Sequence, residues 1–102
     1  MKPCPCLWQT PSINWNGDLT ICCTDCYLKH KLGNINETPM HKLWNGKKIN
    51  DLRIKHIKRE TKDIAVCSEC QGMEPNDPEE FQRQMLNFLA KIGRMDLAKM
   101  IK

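Results

Sequence analysis

The sequence has few aromatic residues and no long hydrophobic run, and both absences limit what the chain can be. Only 6% of its 102 residues are aromatic, which predicts a thin hydrophobic core for a single domain. No stretch approaches the roughly 20 apolar residues that span a bilayer. The opening MKPCPC has a lysine and prolines where the apolar region of a signal peptide would begin. We therefore expect a cytoplasmic location and no membrane partner.

The excess of positive over negative charge is also small, whereas cysteine is abundant. The formal net charge of +4 is too small to indicate nucleic-acid binding. The chain has seven cysteines, and an odd number fits poorly with a fully paired disulfide framework. Clustered thiols in a reducing compartment more often bind metal than form disulfides. The composition therefore predicts a small metal-binding protein.

The order of motifs predicts a small α+β fold. We expect a β-hairpin and short helices around a Cys-ligated metal centre, followed by a C-terminal helical segment. Because the cysteines end at Cys70 and the composition then changes, we assign residues 1–72 to the metal-binding domain. Residues 73–102 form a helical extension that we expect to pack on it.

The predicted hairpin lies in SINWNGDLTI. Apolar and β-branched residues flank Asn16-Gly17, the strongest short-range signal for a hairpin with a two-residue turn. In such a turn both residues adopt positive φ. The second strand, Leu19 to Ile21, then leads directly into Cys22.

Three helices are predicted further along the chain. Thr38 is the expected N-cap of the first, which ends at Asn45-Gly46. The second has an apolar stripe assigned to Ile49, Leu52, and His56 or Ile57, and a basic face assigned to Lys48, Arg53, Lys55, Lys58 and Arg59. The third begins at Asp77-Pro78, and its apolar stripe consists of Phe81, Met85, Phe88, Leu89 and Ile92. We expect each of the three histidines, His30, His41 and His56, to be solvated or partly buried.

The spacing of Cys67 and Cys70 allows two thiolates from one tight turn to reach one metal. Two sulfurs from elsewhere must complete a four-sulfur site, and the candidates are Cys4, Cys6, Cys22, Cys23 and Cys26. Spacing leaves two solutions open. Either Cys23-x2-Cys26 completes a zinc-ribbon-like site, or Cys22 joins with Cys4 or Cys6.

An ordered series of motifs resembles the SPASM/twitch domain, the C-terminal extension of many radical S-adenosylmethionine enzymes. The series begins with Cys4 and Trp8, continues through Gly17 and the CCTD of residues 22–25, and passes through LGNI, LWN and LR. It ends at Cys67-x2-Cys70 and covers roughly residues 4 to 70. Trp8 and Trp15 are expected to shield the site.

The resemblance implies an auxiliary [4Fe–4S] cluster whose ligands are Cys4, Cys22, Cys67 and Cys70. Cys4 is preferred to Cys6 because three residues separate it from Trp8, as in the family pattern. Strand alternation would point Cys23 away from the face that Cys22 occupies. Cys6, Cys23 and Cys26 are therefore the alternate ligands.

The resemblance also implies that the chain is not an enzyme on its own. The catalytic domain of the family carries a C-x3-C-x2-C run, but here Lys29 follows Cys22 and Cys26 at the third position. No cysteine follows Cys70, so one cluster is the most that the chain should hold. The expected partner is a radical S-adenosylmethionine catalytic domain or enzyme with its peptide or small-molecule substrate.

Such a cluster would serve electron transfer, structure, or engagement of the substrate or partner. The alternative function is a Zn2+-binding interaction module that binds nucleic acid through its basic helix. A module of this kind would be colourless, and its binding would weaken steeply with salt. Because the net charge is small, nucleic acid is not the partner that we expect.

Overall fold

The structure is a computed structural model, and it describes residues 3–22, 25, 27–64, 67–69 and 74–101. Its α-helices are α1 (Cys6–Gln9), α2 (Met40–Leu43), α3 (Lys47–Ile57) and α4 (Pro78–Ile92). Its strands are β1 (Ser12–Ile13), β2 (Asp18–Thr20) and β3 (Gly33–Asn34), and two 3-10 helices span Cys67–Glu69 and Met95–Met100. The predicted α+β class is confirmed. Among the described residues, no helix is both long and apolar enough to cross a membrane.

The three short strands form one antiparallel sheet with β2 in the centre. β1 pairs with β2 through Ile13 and Leu19, and β2 pairs with β3 through Leu19 and Gly33. All three residues of β2 are buried. The sheet therefore holds the chain that leads toward Cys22 between two neighbouring strands.

The predicted hairpin is confirmed, but its turn is not the predicted two-residue type. The Gly17 amide donates to the Asn14 carbonyl at 2.9 Å, and in this loop only Gly17 has a positive φ, at 94°. This is a three-residue loop, a type I turn followed by a left-handed glycine. Asn16 instead accepts a hydrogen bond from the Asp18 amide through its side chain at 3.2 Å, which lets it keep a negative φ.

The first two predicted helices form, with different ends and a different buried face. Thr38 is not the cap of α2, because Pro39 precedes its first residue and no side chain caps it. In α3, Arg53 was expected on the basic outer face, yet it is only 4% exposed. His56 was expected either on the apolar stripe or as a solvated or partly buried residue, and it is 0% exposed, as is Ile57. Arg53 points inward to the Leu7 carbonyl and the Trp8 ring of α1. His56 points inward to the Cys4 amide and the Cys67 sulfur.

The third predicted helix is confirmed as α4. Asp77 is its N-cap and accepts a hydrogen bond from the Glu80 amide at 3.2 Å. Glu79 and Glu80 lie in the first turn, where their negative charge interacts favourably with the positive end of the helix dipole. Gly93 ends the helix with a φ of 75°, a conformation that glycine adopts without strain.

Within the described residues, buried apolar side chains form two clusters. The C-terminal core consists of Ile57, Phe81, Met85, Phe88, Leu89, Leu97 and Ile101. The cysteine-rich core consists of Leu7, Ile21, Ile49, Ile64 and Cys67. Trp8 packs against both, with its ring edge-on to Phe81 and Phe88 at centroid distances of 5.4 and 5.9 Å. Trp15, in contrast, is 97% exposed, so the expectation that it shields the site is wrong.

Candidate metal centre

Cys4 lies two residues before α1 and Cys6 is the first residue of that helix, and both are buried, at 8% and 6% exposure. The Cys4 carbonyl accepts a hydrogen bond from the Leu7 amide at 3.3 Å, so this short segment turns tightly into the helix. Burial therefore does not favour either Cys4 or Cys6 as the first ligand. The Cys4 amide, however, has a side-chain partner, because it donates to Nδ1 of His56 at 3.2 Å.

Cys22 is half-buried and packs against the cysteine-rich core. β2 ends at Thr20, one residue before the predicted end of the strand at Ile21 and two residues before Cys22. The alternation used to separate Cys22 from Cys23 therefore does not follow from a strand at these positions. Cys23 and Cys26 lie outside the described residues.

Asp25 organises the chain immediately after Cys22. It is 2% exposed, and its carboxylate accepts hydrogen bonds from the Thr20 hydroxyl and from the amides of Lys29 and His30. Burial alone would raise the pKa of Asp25, but these hydrogen bonds outweigh it and leave the pKa below its usual value. The ionised carboxylate thus closes a turn between the end of β2 and residue 30.

Cys67 begins a 3-10 helix and is 7% exposed. Its Sγ lies 3.4 Å from Nε2 of His56. Cys70, the other cysteine of this predicted knuckle, lies outside the described residues. The imidazole of His56 therefore contacts the Cys4 backbone with one nitrogen and the Cys67 sulfur with the other.

The tautomer of His56 follows from these two contacts. Because Nδ1 accepts the Cys4 amide proton, it carries no proton, and the neutral ring must hold its proton on Nε2. Nε2–H then donates to the Cys67 sulfur. Burial, the largest cause, lowers the pKa of His56 to about 4, which is consistent with a neutral ring. The sequence offered His56 or Ile57 for the apolar stripe, and both are buried, but it did not indicate the contacts of His56 with Cys4 and Cys67.

Arg53, one turn before His56, connects α3 to the same segment. Its Nε donates to the Leu7 carbonyl at 2.7 Å, and its guanidinium carbon lies 5.3 to 5.9 Å from the ring centroids of Trp8, Trp44 and Phe88. Desolvation by burial lowers the pKa of Arg53 to about 10. The guanidinium remains charged near neutral pH and is stabilised by the faces of the rings.

A complete ligand set does not lie within the described part of the chain. Among residues 3–22, 25, 27–64, 67–69 and 74–101, no group of three or more histidine, cysteine, aspartate and glutamate side chains is arranged to hold a metal. Two of the cysteines predicted from the family pattern, Cys4 and Cys67, contact the same imidazole. Cys22 and Cys67 both pack in the cysteine-rich core.

Comparison with known protein families identifies the region around these cysteines. A model of the SPASM iron–sulfur cluster-binding domain matches residues 4–71. The chain belongs to the SPASM family. The match covers about two-thirds of the chain, and it includes all seven cysteines of the sequence. Comparisons with curated proteins and with solved structures give no match.

Membership of the SPASM family establishes iron–sulfur cluster binding as the function of this region. The matched segment also includes the aromatic and buried polar residues around the candidate centre: Trp8, Thr20, Asp25, Arg53 and His56. The C-terminal helix α4 lies outside the match. It is nevertheless packed on the SPASM domain through Trp8 and Ile57.

Proposed function

We propose that this SPASM domain binds one [4Fe–4S] cluster through Cys4, Cys22, Cys67 and Cys70. The observation that carries the proposal is the family match, which begins at Cys4 and ends one residue after Cys70. A cluster of this type is held by four cysteine thiolates. Cys6, Cys23 and Cys26 are the alternate ligands.

The surroundings of the described thiols fit a buried iron–sulfur group. Cys4 and Cys67 are each less than a tenth exposed, and apolar side chains of the cysteine-rich core cover one side of Cys67. Soft thiolates with few competing hard oxygen ligands suit iron in a cluster. Contact of the Cys4 backbone and the Cys67 sulfur with one imidazole supports Cys4 over Cys6 as the first ligand.

The role of the domain is auxiliary and non-catalytic on its own. A cluster bound by four cysteines supplies one-electron transfer and has no open position for substrate. Apolar side chains of the cysteine-rich core exclude water from the site, and these are Leu7, Ile21, Ile49 and Ile64. Short turns hold the cysteines in position. We propose that residues 1–72 serve a radical S-adenosylmethionine catalytic domain or enzyme, acting on a peptide or small molecule in a reducing cytoplasm. Residues 73–102 then form a helical extension of the domain.

Anaerobic purification and reconstitution test this function. We expect a brown protein with about four iron and four sulfide per chain, and a reduced form with the electron paramagnetic resonance signal of a [4Fe–4S] cluster. The loaded chain alone is expected not to cleave S-adenosylmethionine. A colourless protein with one zinc per chain would instead support the zinc-binding interaction module.

Matched cysteine variants test the ligand set in the same preparation. Cys22→Ala, Cys67→Ala and Cys70→Ala should each abolish cluster uptake, whereas Cys23→Ala should retain it. Cys4→Ala and Cys6→Ala distinguish the two candidates for the first ligand. Loss of iron in Cys23→Ala with retention in Cys22→Ala would contradict the assignment.

A further inference from the structure

We propose that His56 is an outer-sphere hydrogen-bond donor to this iron–sulfur site, and that its Nε2–H bond to Cys67 raises the reduction potential of the cluster. The inference rests on the proposed function, since it concerns the cluster assigned above. It adds a residue that is not a cysteine and does not bind iron. His56 is a positioning residue that acts through a ligand.

The hydrogen bond from the Cys4 amide to Nδ1 decides whether His56 donates to the Cys67 sulfur or binds the metal itself. If His56 bound metal through Nε2, its proton would have to reside on Nδ1. Nδ1, however, faces the amide proton of Cys4 at an N···N distance of 3.2 Å. Two donors cannot share this contact, so Nε2 keeps its proton and points it at Cys67 Sγ, 3.4 Å away.

The imidazole is held in this orientation from several directions. It has no exposed surface, and it lies in the last turn of α3 beside the fully buried Ile57. One turn earlier, Arg53 Nε donates to the Leu7 carbonyl at 2.7 Å. α3 is thereby bonded to the segment from Cys4 to Leu7 at two points, which fixes the ring before any cluster binds.

A donor in this position has a defined electrostatic effect. Hydrogen bonds to ligand sulfur are among the features that set the potential of an iron–sulfur cluster. Reduction adds negative charge to the cluster and its sulfurs, and an N–H dipole directed at sulfur stabilises that charge. In a buried site the effect is weakly screened by water. Loss of the donor should therefore make the cluster harder to reduce.

Three substitutions of His56 separate the two ends of the ring. His56→Phe keeps the aromatic volume and loses both hydrogen bonds. His56→Asn places an oxygen near the Nδ1 position and keeps an acceptor for Cys4, but it does not reach Cys67. His56→Gln places an amide N–H near the Nε2 position and keeps the donor. Ile57→Val is the matched control, because it perturbs the adjacent buried position, whose side chain packs in the C-terminal core and not with Cys67.

The main readout is the midpoint potential of the cluster in each reconstituted full-length chain. At the wild-type midpoint, we expect the ratio of reduced to oxidised cluster to fall about tenfold in His56→Phe and His56→Asn, equivalent to 59 mV for one electron. His56→Gln should recover most of this ratio, and Ile57→Val should not change it. Iron content measured on the same samples shows that each variant is loaded.

The outcomes distinguish this inference from the proposed function. A wild-type chain that takes up about four iron while His56→Asn and His56→Gln share the wild-type potential would overturn the role of His56 and leave the function standing. A wild-type chain that takes up no iron would overturn both. The tautomer is tested without metal by 15N NMR of the metal-free chain, where a proton on Nε2 supports the inference and a proton on Nδ1 overturns it.

Discussion

The C-terminal core and the cysteine-rich core are built by different means. In the C-terminal core, all the buried members are hydrocarbon or thioether side chains, and the helix that supplies most of them has its own N-cap and C-cap. The buried polar groups of the described chain all lie in residues 4–71, the segment that contains the cysteine-rich core, and they are Asp18, Thr20, Asp25, Arg53, His56 and Thr61. The strands there contain only two or three residues each.

This difference shows which part of the molecule needs a cofactor. Apolar burial stabilises a helix against its neighbours without further help. Short strands and buried polar side chains provide less, since each buried polar group must regain in hydrogen bonds what it loses in hydration. Metal–thiolate bonds supply folding free energy where the core is thin. We therefore infer that the cysteine-rich core depends on its cluster and the C-terminal core does not.

Removal of the cluster should give the largest contrast between the two cores. In the iron-free chain, we expect amide exchange of β2 to accelerate at least about 100-fold, equivalent to about 2.7 kcal/mol of lost stabilisation. Exchange in the middle of α4 should accelerate less than about tenfold. Hydrogen exchange of loaded and iron-free chains, followed by mass spectrometry, measures both. Equal acceleration in β2 and α4 would show that the cores unfold as one unit.

A cavity in the C-terminal core should give the opposite pattern. Leu89 is 0% exposed, and Leu89→Ala should lower the free energy of unfolding by about 3 kcal/mol. Iron content should remain that of the wild-type chain, because Leu89 is a member of the C-terminal core and not of the cysteine-rich core. Urea unfolding and iron analysis test the two statements. Leu86→Ala, at a half-buried position of the same helix, is the control and should cost less.

The two regions also differ in how far their sequence predicts them. The start and the apolar face of α4 were predicted correctly because their signals are local, with Asp77-Pro78 at the start and an apolar stripe after it. The hairpin was predicted in the right place with the wrong turn. A dipeptide pattern does not show that the Asn16 side chain will bond to the Asp18 amide, and that bond favours the longer loop.

Arg53 and His56 could not be placed by pattern. In KKINDLRIKHI the charged residues outnumber the apolar ones, so Arg53 was assigned to the basic face, and His56 was only one of two candidates for the apolar stripe. Burial of Arg53 depends on rings from three separate segments of the chain, Trp8, Trp44 and Phe88. Such a cage is a tertiary feature with no local signal. The cysteine spacing and the ordered motifs were enough to find the family, but not the groups around the thiols.

Substitution of Arg53 tests the boundary between the two cores, because its partners come from both. Arg53→Lys keeps the charge but loses the planar stacking and the hydrogen bond from Nε to the Leu7 carbonyl. We expect the free energy of unfolding to fall by about 2 kcal/mol. Lys55→Met, on the exposed face of α3, is the control and should change little. If the two substitutions lowered the free energy of unfolding equally, Arg53 would contribute no more than a solvent-exposed residue, as the sequence predicted.

The smallest expected effect compares one glycine from each region, since both have positive φ. At Gly93 an added Cβ meets nothing within 4 Å, so Gly93→Ala should cost only the backbone term, about 1 kcal/mol. At Gly17 the Cβ would lie 2.6 Å from Asn36 Nδ2 and 2.9 Å from Asn34 Oδ1. These amides also donate to the Asn16 carbonyl, so Gly17→Ala should cost about 2 kcal/mol.

Iron content gives this pair of glycine variants a second readout. The hairpin leads into Cys22, so Gly17→Ala should also lower cluster loading, whereas Gly93→Ala should leave it unchanged. Urea unfolding and iron analysis on both variants separate the backbone cost from the crowding at the hairpin. If both variants lose the same stability and keep the same iron, the hairpin does not position Cys22. The cysteine-rich core would then tolerate strain in its loop as readily as the C-terminal core does.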